Sequence, residues 1–441
     1  MASPLRIAVI GLGTMAQSVH LPMIMRRHDR FEIAAVVDIS PRRRTEVAQK
    51  WHFADDLVFA SVDDLVSAVR HKSIEVDAAV FAADGVKGAD VLALMKRGIP
   101  VLVEPPVGYG AEEIEEIAAF ERMAGRPLVM VGYGALYDSS VTRFVADNLA
   151  RDLRVLEFET LMPASAVVFS KHHVTAAAYD LPTEVRAERR ESLAAAVAAG
   201  AGEGSTQRDR DLYVKGLLTG LVAQLALLRS MYGPLTEVHG IRHWPTQVIP
   251  GSLEVLGAIE KGPHVRFAWH YLPFAPELRD SIRFVSTRRQ GTVQIPEEAD
   301  LDRRGTYTVT VKTDGAVTTT TTRSEASVGY ALWDAFFEFA ARGKAPAYGL
   351  SEALEDTATA REILAEIAAT EGRSLDPVEE EPEAETPADE AAEAEAPETP
   401  EAADGAADDG AAAKESDGAA AAEGTEGAEP EASSLPRPDG E

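Results

Sequence analysis

The chain contains 441 residues and carries a formal net charge of −29, because 72 Asp and Glu outnumber 43 Lys and Arg. This length allows two domains and a tail, and the excess of acid offers no basic surface for nucleic acid or anionic lipid. The sequence has no cysteine, which excludes disulfides, thiolate nucleophiles and cysteine-ligated metals.

Targeting and metal signals are also absent from the sequence pattern. Residues 1–6 lead directly into an apolar strand pattern, so we expect no signal peptide. We expect no apolar run of membrane-spanning length. The histidines are scattered without carboxylates at ligand spacing, so we expect no metal site. Together these observations predict a soluble, cytoplasmic protein that binds neither nucleic acid nor a membrane.

Residues 5–16, LRIAVIGLGTMA, predict a buried strand that leads into a glycine-rich turn and a helix. Gly11 would make the tight turn, Gly13 would let the backbone approach a pyrophosphate, and Ala16 would keep helix and strand close. Asp38 ends the next apolar run and would accept hydrogen bonds from ribose hydroxyls. Tight strand–helix turns also use glycine for structural reasons alone, but this spacing favours a dinucleotide at the helix N-terminus.

Strand and helix patterns alternate through residues 1–131 and predict a doubly wound parallel sheet, a Rossmann domain. Predicted helices cover 41–51, 63–70, 89–97 and 111–123, and predicted strands cover 33–37, 57–59, 76–81, 101–103 and 127–131.

The pattern changes at about residue 154. Residues 187–209 predict a weak helix followed by a mobile loop, and 212–231 predict a strong apolar helix. The remaining predicted elements are strands over 155–160, 235–243, 264–272, 280–286, 291–295, 306–312 and 315–322, and helices over 328–342 and 351–369. Residues 132–372 therefore form a predicted α+β domain with an open, mostly antiparallel sheet and helices on one face.

The last segment, residues 373–441, is rich in Glu, Ala, Pro and Gly. Of the acidic residues, 23 lie in 376–441, where the only bases are Lys414 and Arg437. A segment with so few large apolar residues cannot offset the entropy of ordering, so we expect a disordered, solvating tail. Binding of a partner through the acidic charge is the less favoured alternative.

The chain resembles the Gfo/Idh/MocA oxidoreductase family over residues 5 to about 371. The resemblance rests on the GLGTMA turn with Asp38, on KRGIPVLVEPP at 96–106, and on the helices 331–343 and 350–369. Members of this family usually transfer a hydride between a nicotinamide cofactor and a sugar, inositol or related polyol. The resemblance implies NAD or NADP as cofactor, a small-molecule substrate, and a homo-oligomer formed through the C-terminal sheet.

The resemblance also implies the cofactor contacts. They are Gly11, Gly13, Thr14, Met15, Ala16, Asp38, Arg43, Ala82, Glu104 and Pro105. Asp38 would repel a 2′-phosphate, which favours NAD, whereas Arg42, Arg43 and Arg44 would offset that repulsion.

Three polar clusters of the family are missing from this chain. The Glu-Lys-Pro motif, whose lysine stands beside the substrate hydroxyl and stabilises alkoxide charge, is Glu-Pro-Pro at 104–106. The Asp-x-x-x-His pair on the apolar helix falls on Thr219 and Ala223. The Asn-Arg-rich substrate loop is replaced by residues 132–138, GYGALYD.

Three residues are the main candidates to replace the missing groups, and the further candidates are His172, Asp180, Lys215 and Tyr133. Lys87 lies eleven residues before Gly98, where the family often has a histidine at a helix start that faces the cofactor. His173 and Tyr179 fall where the family's substrate loops lie, and either would act as acid, base or oxyanion donor. The alternative is that all three are ordinary surface side chains.

Three functions stay open at this point. The first is an NAD(P)-dependent oxidoreductase with divergent catalytic residues that acts on a small polar carbonyl or alcohol, sugar- or inositol-like. The second is a catalytically inactive, dinucleotide-binding sensor or regulator. The third is redox-neutral chemistry with bound NAD as a transient hydride store, as in certain glycosidases of the family.

Overall fold

The computed structural model describes residues 3–148, 153–169, 174, 180–260 and 262–376. The strands are β1 (Leu5–Ile10), β2 (Phe31–Val37), β3 (Val58–Phe59), β4 (Ala78–Phe81), β5 (Val101–Val103), β6 (Val129–Val131), β7 (Leu153–Met162), β8 (Glu237–Trp244), β9 (Ser252–Ala258), β10 (His264–Tyr271), β11 (Arg279–Ser286), β12 (Arg289–Ile295), β13 (Arg304–Thr313) and β14 (Ala316–Ser327). The α-helices are α1 (Leu21–Arg26), α2 (Pro41–Trp51), α3 (Val62–Arg70), α4 (Gly88–Met95), α5 (Ala111–Ala124), α6 (Ser139–Asn148), α7 (Ser165–Val168), α8 (Thr183–Ala201), α9 (Gln207–Leu212), α10 (Val222–Tyr232), α11 (Val328–Arg342) and α12 (Leu350–Thr370). Two π-helical segments, Ala16–His20 and Tyr213–Leu221, continue directly into α1 and α10, and short 3₁₀ turns cover Asp55–Leu57 and Gly134–Tyr137.

The first sheet is parallel and has the order β3-β2-β1-β4-β5-β6. Its central strand is buried on both faces, because Ala8 and Ile10 pack into one apolar cluster and Ile7 and Val9 into another. Continuous apolar runs are typical of such strands. The strand order reverses between β1 and β4, so the carboxyl ends of these strands leave a crevice at the glycine-rich turn. The predicted doubly wound sheet is confirmed.

The second sheet has the order β14-β13-β12-β11-β7-β10-β9-β8. Its neighbours pair antiparallel except β7 and β10, which are parallel. One face is apolar and packs in a single core with α6, α10 and α12, as Phe158, Phe267 and Ile282 do. The other face carries ion pairs such as Arg283 with Glu157 at 3.1 Å. The mostly antiparallel sheet is therefore confirmed, with helices on its apolar face.

One helix of the second domain contradicts the expectation that no apolar run is long enough to span a membrane. Residues 207–232 form one helix that is long and apolar enough to do so by length and composition. Of its most apolar stretch, 72% is buried inside the fold, where it packs against α12 and β10. This burial is what a core helix of an α+β domain requires.

Three local predictions were wrong. The strand β9 was missed, although Leu253, Val255 and Gly257 alternate toward the core. The helix α6 was also missed; its first turn follows Asp138, whose carboxylate accepts from Ser140 N at 2.8 Å. The loop predicted within 187–209 is short, because α8 extends to residue 201 and a capping box of Thr206 and Asp209 starts α9.

Candidate functional site

The glycine-rich turn has the shape that a dinucleotide needs. Gly11 has φ +84°, and a Cβ there would lie 2.5 Å from Ala83 N, so glycine alone fits. At Gly13 the nearest atom to an added Cβ is Arg43 Nη1, at 3.9 Å. The backbone is therefore bare at the helix N-terminus, where a pyrophosphate would approach.

Asp38, directly after β2, holds this turn through hydrogen bonds to its carboxylate. Its carboxylate accepts from Leu12 N and Ser40 N, both at 2.8 Å, and from Arg43 Nη1 at 3.3 Å. A carboxylate offers about four acceptor positions, so these contacts leave room for a ribose hydroxyl. The Asp38 side chain thus stabilises the turn and is also a candidate ligand of the ribose.

A cavity of about 190 Å³ opens beside the turn. Five predicted cofactor residues line it together: Gly11, Gly13, Asp38, Arg43 and Ala82. From the second domain, Arg189 of α8 also lines it and donates to Asp84 O at 3.1 Å. The structure therefore brings half of the predicted cofactor set to one place, with Thr14 and buried Ala16 at the start of the helix that follows the turn.

The N-terminus of α2 is capped by a carboxylate of this chain. Asp180 accepts from the Ser40 hydroxyl and from Arg42 N, the latter at 2.8 Å. The Ser40 hydroxyl is the main cause that lowers the pKa of Asp180. This helix start lies directly after Asp38, on the ribose side of the cavity. The sequence pattern gave no signal for this contact, since 138 residues separate Arg42 from Asp180.

A second, larger cavity of about 750 Å³ is lined by both domains. Met15, Glu104 and Pro105, three further predicted cofactor residues, line it from the first domain. Thr219 and Ala223 line it from the long helix, so the positions predicted for the missing Asp and His face the cavity, and the neighbouring Gln224 lines it as well. Thr219 donates its hydroxyl to Lys215 O at 2.9 Å. We call this cavity the cleft.

Glu104 is held from two sides. His20, fully buried, donates from Nε2 to Glu104 Oε1 at 2.9 Å. Lys87, only 5% exposed, donates from Nζ to Glu104 O at 3.0 Å, and burial lowers its pKa to about 8. The described residues that line the cleft do not include Lys87. Lys87 therefore contacts the strand end at which Pro105 stands and not the cleft itself.

The other two predicted catalytic residues, His173 and Tyr179, lie outside the described residues. Their assignments stay predictions.

Asp280 is a cleft carboxyl that the sequence analysis missed. The Thr160 hydroxyl donates to its Oδ1 at 2.6 Å, and Gln224 Nε2 donates to Thr160 Oγ1 at 2.9 Å and to Ala268 O at 3.1 Å. Burial raises the pKa of Asp280 to about 6. A signal was present, because Asp280 alternates with Ile282 on the inward face of a predicted strand.

Glu298 is a second missed carboxyl. It lines the cleft, and its Oε1 is buried with no hydrogen-bond partner among the described atoms. Burial, with the charge of Glu104 as second cause, raises its pKa well above the ordinary glutamate value.

Comparison with known proteins agrees with this geometry. Residues 5–133 match the model of the Gfo/Idh/MocA oxidoreductase family, described as its NAD-binding Rossmann fold. A putative UDP-kanosamine synthase oxidoreductase subunit of Amycolatopsis mediterranei (strain S699) is 34% identical over 31% of this chain and 35% of its own. Inositol 2-dehydrogenase of Arthrobacter sp. (strain FB24) is 26% identical over 38% and 49%. The chain thus spans half or less of these curated relatives.

The fold similarity extends further than the sequence similarity. A crystal structure of a Gfo/Idh/MocA family oxidoreductase from Vibrio cholerae has a TM-score of 0.56 and 16% identity, and it covers 83% of this chain and 99% of its own. Residues 5–133 are therefore similar in sequence to the NAD-binding domain of the Gfo/Idh/MocA oxidoreductase family, and the fold of both domains is similar to that of a solved structure of this family.

Proposed function

We propose that the protein is an NAD-dependent oxidoreductase that acts on a small polar carbonyl or alcohol compound in the cleft. One observation carries this proposal: the cleft joins the end of the dinucleotide turn, at Met15, to a titratable carboxyl, Asp280. Hydride exchange with an alcohol carbon needs both a nicotinamide and a proton-transfer group. A sugar- or inositol-like substrate agrees with the names of the relatives.

The bound dinucleotide would supply or accept the hydride. Asp280 would take the proton of a substrate hydroxyl or return it, since a pKa near 6 leaves both forms accessible near neutral pH. Lys87 would act as a positioning residue that holds the strand end at Glu104 through its carbonyl. His173 and Tyr179 are kept as further catalytic candidates.

We also propose that this enzyme acts in the cytoplasm as a homo-oligomer. The outer face of the eight-stranded second sheet is the candidate interface. Threonine pairs such as Thr308 with Thr321, whose hydroxyl oxygens are 2.9 Å apart, and charge pairs such as Arg283 with Glu157 cover it. Sedimentation analysis would show a monomer if this face stays free.

The test of dinucleotide binding is the variant Gly13→Val. A Cβ at Gly13 would come no closer than 3.9 Å to a described protein atom, Arg43 Nη1, so the variant should fold but fill the space of the pyrophosphate. We expect NADH to bind the wild-type protein and to quench its tryptophan fluorescence. The variant should no longer bind NADH, while its melting temperature stays that of the wild type. Equal NADH affinities would contradict the proposal.

A second function, a non-catalytic dinucleotide sensor, is favoured by one specific observation. The three motif positions that face the cleft are Pro105, Thr219 and Ala223, and none of these side chains is an acid–base group near neutral pH. Turnover of NAD with a panel of polyols would support the enzyme. A silent wild type, together with activity gained in the triple variant Pro105→Lys, Thr219→Asp and Ala223→His, would support the sensor.

A further inference from the structure

Most of the ionisable residues that line the cleft are acidic. The described carboxyl residues that line it are Glu104, Glu159, Asp280, Glu297 and Glu298. Among the described lining residues the single base is Lys215, which pairs with Asp211 at 2.9 Å, and of the five carboxylates Glu159 pairs with Arg279 at 3.1 Å. An anionic substrate would therefore meet repulsion here, whereas a cation would be attracted.

Unsatisfied acceptors point in the same direction. Glu298 Oε1 and Gln224 Oε1 are both buried, both belong to residues that line the cleft, and neither has a partner in the described structure. A buried acceptor without a donor is costly, so the donor has to come from a water or a ligand in the cleft. An ammonium group carries three donors and no acceptor, so it suits such a site better than a hydroxyl does.

Glycine backbone lies close to both glutamates. A Cβ at Gly134 would lie 3.0 Å from Glu298 Oε2, and a Cβ at Gly132 would lie 3.3 Å from Glu104 Oε1. Glycine at both positions keeps the space beside the carboxylates free of side chains. Trp269 and Tyr271 line the same cleft, and aromatic faces also attract cations.

We propose that the substrate of the cleft is an amine-bearing polyol, such as an amino sugar or aminocyclitol, whose ammonium group binds between Glu298 and Glu104. This inference rests on the proposed function only for the redox step, because recognition of the ammonium is a property of the two glutamates. It also separates this cleft from sites for phosphorylated sugars. The nearby arginines Arg279, Arg303, Arg304 and Arg323 line a different pocket, of about 430 Å³, which shares only Leu278, Ile295 and Pro296 with the cleft.

Calorimetry on the full-length protein tests the proposal with matched pairs of ligands. Glucosamine and scyllo-inosamine carry the ammonium, glucose and scyllo-inositol replace it by a hydroxyl, and glucose 6-phosphate is the anionic counterpart. We expect each amine to bind about 10- to 100-fold more tightly than its hydroxyl partner, the range of one charge-assisted hydrogen bond. We also expect proton release, seen as a binding heat that depends on the buffer, because the ammonium favours the ionised form of Glu298.

The isosteric variant Glu298→Gln should lose both the amine preference and the proton release. Glu277→Gln removes an exposed carboxylate that pairs with Arg303 outside the cleft, and it should keep both. Equal affinities of amine and hydroxyl partners, no saturable amine binding, tighter binding of glucose 6-phosphate, or an unchanged preference in Glu298→Gln would each overturn the proposal. NADH quenching measured in parallel reports on the proposed function separately, since it does not involve the glutamates.

Discussion

At the scale of single residues, the most consequential group is the Asp280 carboxyl. Its pKa of about 6 follows from burial, which the hydrogen bond from Thr160 opposes. In the oxidation direction the carboxylate is the active form, so kcat/KM, which reports the free enzyme, should rise with pH through about 6. The variant Asp280→Asn should lower kcat about 10²- to 10⁴-fold and remove this pH dependence.

Thr160 offers a control that separates position from chemistry. Thr160→Val removes the donor, so the pKa of Asp280 should rise and the limb of the pH–rate profile should move to higher pH. Thr160→Ser keeps the hydroxyl and should leave the limb in place. A profile that is the same in wild type and Asp280→Asn would exclude Asp280 as the titrating group.

Cofactor choice is also a matter of single residues. Asp38 and Asp180 place two carboxylates at the start of α2, and Asp180 already occupies the backbone N–H group of Arg42. A 2′-phosphate would therefore meet two negative charges and a filled helix N-terminus. We expect NAD to bind more tightly than NADP. In Asp180→Ser the dissociation constant of NADP divided by that of NAD should fall on the order of tenfold, because one of the two carboxylates is removed.

The measurement is fluorescence titration with NADH and NADPH. Asp302→Asn, which changes an exposed aspartate paired with Arg26, controls for a general change in charge and should keep the wild-type ratio. A wild type that prefers NADPH would show that Arg43 and its neighbouring arginines outweigh the two carboxylates.

At the scale of elements, α8 is fixed by a contact between backbones. A Cβ at Gly200 would lie 1.8 Å from Tyr109 O, so the last turn of α8 approaches the chain just before α5 as closely as glycine allows. Gly200→Ala should lower the free energy of unfolding by up to about 2 kcal/mol, because overpacking costs about 1–3 kcal/mol and helix propensity returns roughly 1 kcal/mol. Because Arg189 on the same helix lines the smaller cavity, NADH affinity should fall as well.

The matched control is Gly240→Ala in β8, where no atom lies within 4 Å of an added Cβ. Denaturant unfolding should show a change within about 0.5 kcal/mol for this variant. If both variants are equally stable, α8 tolerates displacement from Tyr109 and the close approach has no energetic role.

What the sequence could predict also depends on the scale of the element. The first sheet was predictable because strands buried on both faces are continuous apolar runs, as in β1 and β4. The cleft was predictable only where a family motif marks it, at Pro105, Thr219 and Ala223. Glu298 was not recognised because nothing local distinguishes a carboxylate that faces a cavity from one that faces water, whereas Asp280 was overlooked although it alternates with Ile282 on the inward face of a predicted strand. Contacts such as that of Asp180 with Arg42 depend on the packing of distant segments and leave no trace in a local pattern.

At the scale of the whole molecule, the folded body ends later than the composition suggests. Leu375 is 2% exposed, and its carbonyl accepts from Gly204 N at 2.8 Å. Arg373 pairs with both carboxylate oxygens of Asp209, whose side chain is 2% exposed. These contacts connect residues that composition alone assigned to the tail with the start of the long core helix.

Two truncations therefore have opposite expected outcomes. Removal of residues 377–441 should leave the melting temperature and NADH affinity nearly unchanged, because an acidic segment with few apolar residues makes no packed core. Removal of 373–441 should lower the free energy of unfolding by about 3–5 kcal/mol at neutral pH, since it exposes the core beneath Leu375 and leaves Asp209 without its cation.

The pH dependence of the difference in unfolding free energy between the two truncated proteins shows how much of it comes from the ion pair of Arg373 with Asp209. The hydrogen bonds from Arg373 and Thr206 hold the pKa of Asp209 below its ordinary value despite burial. Such a depressed pKa stabilises the fold above the unfolded-state pKa, and this stabilisation is lost as the pH falls through the folded-state pKa. The two truncated proteins should therefore differ less in unfolding free energy near pH 3 than at pH 7, as measured by denaturant titration. A difference independent of pH would assign the loss to Leu375 alone, and a loss of several degrees on removal of 377–441 would show that the acidic tail packs on the body.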